Sequence, residues 1–331
     1  MVAVVFRNSV FKGLSNMLFK DKFIEFMSLR KTALVISLIL ILISVGSLVV
    51  RGLNLGIDFT GGTVVEVAYP DSKSPEAVRV LLKENNYEAI VQHFGSSSDI
   101  LIRLAPPKTG ETASSAEAKA ELSESILEVL RQETAGVELR RVEFVGPQIG
   151  EELREQGGLA MLMALGGILI YVALRFEYRF AVGAVAALVH DVIITVGFFS
   201  VTQIEFDLSV LAAVLAVIGY SLNDTIVVFD RQRENFRILR EETPTQVLNI
   251  SLNQTLSRTL ITSFTTLLVV GALFLFGPET ITGFSVALII GILIGTYSSI
   301  YVASNLLLVM GITKEALIPP EKNDEELDAL P

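Results

Sequence analysis

Residues 214–235, VLAVIGYSLNDTIVVFDRQREN, run as an apolar helix into an Arg-rich end and carry an Asn–Asp pair, Asn223 and Asp224, on the way. An ionisable side chain inside such a run is costly and needs a partner, and the chemistry open to it there is to bind and release a proton. Asp224 precedes Asp230 by six positions, which at ~1.5 Å per residue sets it ~9 Å inside the polar end. Tyr220 lies one turn earlier on much the same face. Arg258 heads another apolar run and is followed by Thr259, Thr262, Ser263, Thr265 and Thr266. Burial disfavours a charged carboxylate and a nearby cation favours it, so a carboxylate between those pulls can exchange a proton with little rearrangement. Arg258 is either that cation or an arginine reaching back to the membrane surface. His190 and Asp191, in the middle of a third run, read either as an extension of a proton relay or as hydrogen bonds that fix helix packing. Asp224 too has a structural reading, a neutral carboxyl joining two helices.

These residues need elements to hold them. Six apolar runs, 33–50, 157–174, 181–201, 208–229, 260–276 and 284–310, approach or exceed the ~20 residues that cross a bilayer. Lys and Arg crowd the segments before the first run, between the second and third, and after the fourth. The connections 202–207 and 277–283 have none. The positive-inside rule therefore sets both termini in the cytoplasm and 51–156 on the opposite side. The basic lead 1–32 reads as an amphipathic segment near the inner surface ahead of an uncleaved anchor, and the acidic tail 311–331 as disordered. Thr243-Pro244 signals a helix start in the cytoplasmic stretch of about 231–257. From there Leu248, Leu252 and Leu256 share a face suited to lying along the membrane before turning into the fifth run.

Segment 51–156 is patterned as a domain. Strands are expected at 62–69, 89–94, 100–104 and 137–145, with 95–98 as a hairpin turn and helices opening at Pro75 and spanning 115–133. The order β-α-β-β-α-β is the ferredoxin-like arrangement. The fold class is thus an α-helical polytopic membrane protein with a ferredoxin-like α+β domain after its first span. Small residues recur at helix-packing spacing, Ala212 with Ala216 and Gly291 with Gly295 and Ser298 beyond, without naming the helix they meet.

Composition narrows the chemistry. Of 331 residues, 51% are hydrophobic and 19% charged, which suits membrane spans joined to a water-exposed part. A net charge of -10 argues against nucleic acid, which requires a basic face. The absence of cysteine excludes thiol chemistry and thiolate metal sites, and two distant histidines, His93 and His190, argue against a His-based one. No cofactor and no enzymatic centre is expected.

Four stretches in order, GIDFTGGT from Gly56, HDVIITVG from His190, GYSLNDTIVVFDRQREN from Gly219 and NQTLSRTLITSFTT from Asn253, resemble the SecF family of the RND transporter superfamily. The resemblance runs from about Phe26 to Met310. It implies an RND-type half-bundle of six transmembrane helices in the bacterial inner membrane and a periplasmic domain after the first. It also implies a six-span SecD partner, work beside the SecYEG channel on translocating preproteins, and protons as coupling ion. The family's membrane aspartate falls on Asp224 and its arginine on Arg258. Its D-F-x-G-G stretch falls on Asp58, Phe59, Gly61 and Gly62, where a tight glycine turn joins span to strand and a coupling of domain to membrane is open. Phe229 stands where some relatives have Ser. An RND-like exporter of small molecules, or a scaffold subunit, are the alternatives.

Overall fold

The computed structural model describes residues 23–104 and 116–312, with the side chains of 116–120 outside the description. Among these residues six helices are long and apolar enough to cross a membrane. The first span is Arg30–Val50, the second Pro147–Arg175, the third Tyr178–Thr202, the fourth Leu208–Ile238 and the fifth Pro244–Phe276. The sixth, Glu279–Val309, is composite. The basic lead up to residue 22 and the acidic tail from 313 lie outside the described residues.

Between the first two spans stands the small domain: β1 (Gly62–Ala68), α1 (Pro75–Glu84), β2 (Ala89–Phe94), β3 (Ser96–Leu104), α2 (Ala116–Glu133) and β4 (Glu138–Val145). The sheet order is β2-β3-β1-β4 with every pairing antiparallel, the ferredoxin-like arrangement. Alternation sends Val65, Val67, Ile100 and Ile102 to one face, where Val78 and Leu82 of α1 and Ile126 and Leu130 of α2 complete a core. Truncating such a side chain costs ~2–5 kcal/mol. The opposite face is also covered, since Val64 and Leu101 pack on Ile57. A strand buried on both sides in a sheet this small indicates a domain seated on something, and the seat is the end of the helix bundle.

In the bundle two apolar layers enclose a polar one. Phe59, Phe199, Phe206, Val210, Val214 and Ala287 form the layer next to the domain. Phe180, Val228, Phe229, Leu252, Ala303 and Leu307 form the layer at the far, basic end. Phe229 is fully buried and packs edge-on against Phe176 and Phe180. Between the layers lie buried Asp191, Asp224, Ser221, Thr259, Ser298 and Ser299.

Several boundaries differ from the sequence expectation. Serines 96–98 extend β3, leaving Gly95 alone at the corner. The second span's helix begins at Pro147, ten residues before its apolar run, so the domain ends at Val145 rather than near 156. The stretch 231–257 is two helical extensions joined through 239–243, because polar residues prolong a helix beyond the apolar run as readily as they end it. The fifth span is one continuous helix from a capping box of Thr243 and Gln246. Leu248, Leu252 and Leu256 are therefore buried inside the basic-end core instead of lying on a membrane surface. The end of the N-terminal lead joins that core as well. Phe26 and Met27 are buried, the Met27 amide donates to Asn249 Oδ1 at 2.9 Å, and the Ile24 amide donates to Asn253 Oδ1 at 3.0 Å.

Candidate functional site: buried carboxylates and a pinned connector

Asp224 faces inward from the fourth span, in the polar layer. Thr259 of the fifth span donates to its Oδ1 at 2.7 Å, and Ser299 of the sixth donates to its Oδ2 at 2.6 Å. Ser299 also lies 3.0 Å from the Thr296 carbonyl. That second acceptor matters chemically. If Asp224 takes up a proton, Ser299 can turn its hydrogen to the carbonyl and accept from the carboxylic acid, so this hydroxyl serves both protonation states without losing a bond. Tyr220 donates to Ser263 at 3.1 Å and Ser263 bonds Thr296 at 2.7 Å, continuing the hydroxyl lining across the same three spans.

Arg258 precedes Thr259 and is exposed on the bundle's flank; its charge acts on Asp224 through space, without an ion pair. Asn223 is exposed too. One helical step of ~100° turns it away from the side Asp224 faces, so sequence adjacency did not make these two a site. Ala212, Ala216 and Gly219 share that exposed stripe of the fourth span, whereas Gly291 and Gly295 are buried. A methyl built on Gly291 would lie 2.1 Å from Val217, which is why the fourth and sixth spans approach so closely there.

His190 and Asp191 form a separate cluster on the third span. His190 Nδ1 lies 2.9 Å from Asp191 Oδ1, and Ser221 and Ser298 donate to Asp191 Oδ2 at 2.5 and 2.7 Å. The sixth span thus gives consecutive serines to the two carboxylates, Ser298 to Asp191 and Ser299 to Asp224. At that point the helix changes from α (Thr282–Ser298) to a π turn (Ser299–Ala303) before resuming as Ser304–Val309. Such wide turns are rare and recur at functional sites. In the sequence Ser298 stood out only as a small residue beyond Gly291 and Gly295, and Ser299 was missed.

The glycine stretch lies at the domain end. Ile57–Thr60 is one helical turn, closed by Gly61 at φ 68° and Gly62 at φ 126°. A side chain on Gly61 would meet Pro147 at 2.9 Å, so the position needs glycine both for its backbone and for the approach of the second span. Phe59 is buried beside Phe206. Asp58 Oδ2 accepts the Leu208 amide at 3.0 Å and Asp207 accepts the Val210 amide at 2.8 Å, so two carboxylates satisfy the start of the fourth span, where the helix end favours negative charge.

The connector 51–61 is further pinned to the turn between spans three and four. Leu55 and Phe206 form a parallel bridge, the Phe206 amide donates to Asn54 O at 2.8 Å and the Gly56 amide to Phe206 O at 2.9 Å. Arg103, buried at the end of β3, reaches across to the Leu55 carbonyl at 3.2 Å and pairs with Glu205. Burial raises the Glu205 carboxyl above the usual range; Arg103 pulls it down, while Asp207 and Asp58 push it up. At the other end Arg175 pairs with Asp230 at 2.9 Å, tying the second span to the fourth.

Residues 125–313 match the family described as protein export membrane protein SecD/SecF, C-terminal, and residues 46–69 match the SecD/SecF GG motif. The chain is 50% identical over 304 residues to a protein translocase subunit SecF of Pseudomonas aeruginosa, covering 91% of this chain and 96% of that one. It is 51% identical over 317 residues to one of Vibrio alginolyticus, covering 94% and 98%. A crystal structure of SecDF, a translocon-associated membrane protein from Thermus thermophilus, superposes with a TM-score of 0.79 at 36% identity, over 93% of this chain and 43% of that one. A second, SecDF in a super-membrane-facing form, gives 0.65 at the same 36% identity, over 93% and 40%.

Proposed function

The chain belongs to the SecF family of protein translocase subunits, and from that premise we propose that it couples proton movement to protein export, with Asp224 as the proton-binding carboxylate. The observation that carries the reading is the shell of Asp224, a buried carboxylate whose Ser299 partner can donate or accept. Arg258 biases the charge of Asp224 from the flank. The other half of the assembly is a SecD-like six-span subunit. The SecDF neighbours, of which this chain spans less than half, support that pairing, as does the exposed stripe of Ala212, Ala216, Gly219 and Asn223 beside Arg258. Small residues let helices approach, and polar groups at membrane depth need a cover. The subunit sits in the bacterial inner membrane with its termini in the cytoplasm and its domain outside. It works beside the SecYEG channel on emerging preproteins.

In this reading a proton on Asp224 alters the contacts of spans four, five and six. The start of span four passes the change through Asp58 and the pinned connector to the domain. One charge crossing ~100 mV supplies ~2.3 kcal/mol, enough to bias a two-state movement. The test is preprotein export into vesicles containing the assembled pair, with and without a proton gradient. Asp224→Asn should abolish the gradient-dependent part while leaving assembly intact; gradient-dependent export at the normal rate in an assembled variant would overturn the proposal.

A further inference from the structure

The hydrogen bonds around His190 contain a proton too many for a neutral imidazole facing a carboxylate. The count starts from the one group that can only accept. The Ala33 carbonyl accepts from Tyr297 Oη at 2.5 Å, so the tyrosine's hydrogen is committed there. Ser37 Oγ lies 3.0 Å from the same Oη, and in that bond Ser37 must donate. Ser37 also lies 3.1 Å from His190 Nε2; its own hydrogen being used, the ring nitrogen must donate, and Nε2 carries hydrogen. The other ring nitrogen, Nδ1, is 2.9 Å from Asp191 Oδ1. That bond needs a hydrogen as well, on the nitrogen or on the oxygen. A neutral histidine has one ring hydrogen and an ionised aspartate has none. For all four contacts to be hydrogen bonds the pair must hold one proton more, as imidazolium with carboxylate or as imidazole with carboxylic acid.

We infer that His190 and Asp191 form a second proton-binding centre, distinct from Asp224 and joined to it by the consecutive serines of the sixth span. The surroundings suit it. His190 and Asp191 are buried, and an uncompensated charge there would be costly, whereas the protonated pair has no net charge. The first span faces the pair with Ser37, the fourth with Ser221, and the sixth with Ser298 and Tyr297, whose ring stacks on His190 at 6.1 Å. Tyr297 is the one titratable group they present to it directly; Asp224, the nearest other carboxylate in the polar layer, bonds the next serine along. Ser37 also lines a cavity of about 140 Å³ with Ala33, Tyr301 and Asn305, near the basic end of the bundle.

Loss of the proton has a structural consequence. With Nε2 bare, Ser37 must turn its hydrogen to the ring, and the Ser37–Tyr297 bond between the first and sixth spans is lost. Occupancy of this centre is thereby tied to how those spans hold together, at the π turn that also serves Asp224.

Protonation of the pair does not depend on the export reading, on which only its link to Asp224 rests, and the test does not use export. The chain has two histidines, His93 and His190; His93→Gln leaves one. Labelled with ¹⁵N-histidine and reconstituted in liposomes with its six-span partner, the chain reports the protonation of each ring nitrogen by solid-state NMR. At neutral pH Nε2 of His190 should carry hydrogen, and raising the pH should remove one proton from the pair and change both nitrogen signals together. A bare Nε2 beside a protonated Nδ1 throughout the range would overturn the inference, and no change to Asp191 is needed to see it. In the Asp224→Asn chain the His190 nitrogen signals at one fixed neutral pH should differ from those of the parent chain; identical signals would overturn the link between the centres.

Discussion

A hydroxyl group that has two acceptors in reach can follow a proton, and Ser299 is placed to do so between Asp224 and the Thr296 carbonyl. Ser299→Ala leaves Thr259 as the hydroxyl bonding Asp224 and removes a bond from both protonation states, the larger loss, ~1.5–3 kcal/mol against ~0.5–1.5, falling on the charged carboxylate. The proton-driven part of export should slow at least about tenfold with assembly unchanged, measured in the same vesicles. Asp224, Arg258, His190 and Asp191 were legible in the sequence because ionisable groups stand out against apolar runs. Their partners were not. A serine in a membrane helix ordinarily bonds its own backbone, so the letters marked Ser298 only as a small packing residue and Ser299 not at all. Asn223 misled in the opposite way, since its neighbour's burial says nothing about its own face. Arg103 and Glu205 were invisible as a pair because they lie on segments that meet only in the folded molecule.

Helices pack where side chains permit, and two glycines predict opposite outcomes. Gly291 has Val217 at 2.1 Å from a built methyl, while Gly219 has nothing within 4 Å. Gly291→Ala should force the fourth and sixth spans apart at a cost of ~1–3 kcal/mol, lowering the thermal stability of the purified chain. Gly219→Leu should leave that stability unchanged and weaken co-purification with the six-span partner. Equal stability of the two variants would refute the packing account. The spans themselves were readable from apolar length, and the helix start at Thr243-Pro244 from its residue types. Helix ends were harder, because the extensions at Pro147 and beyond Asp230 are polar and obey packing against neighbours rather than the thickness of a bilayer.

For the molecule as a whole, the question is how firmly the domain sits on the bundle. The β-α-β-β-α-β order was legible from alternating strands, one proline-started helix and one rich in Ala, Glu and Leu, but the docking was not, since it rests on contacts between 51–61, 203–208 and the end of β3. Arg103→Ala should raise amide exchange of Gly56 and Phe206 while leaving the core of the sheet protected. Glu205 adds a pH dependence. Burial makes it hold a proton more tightly docked than free, so between the usual carboxylate range and its raised value docking weakens as pH rises. The change is at most about tenfold in the opening equilibrium per pH unit, the limit for one proton. Exchange at Gly56, corrected for its intrinsic pH dependence, should show that slope, and Glu205→Gln should flatten it; a slope surviving the substitution would assign it elsewhere. The parallel bridge of Leu55 and Phe206 has one more consequence. A tether held down at Asn54, Leu55 and Gly56 has little slack, so in the proposed coupling a shift of the fourth span would reach the domain directly and with a short throw. Longer travel would require Gly61 to leave Pro147 or Gly62 to leave Val145, so the coupling proposed above favours short movements.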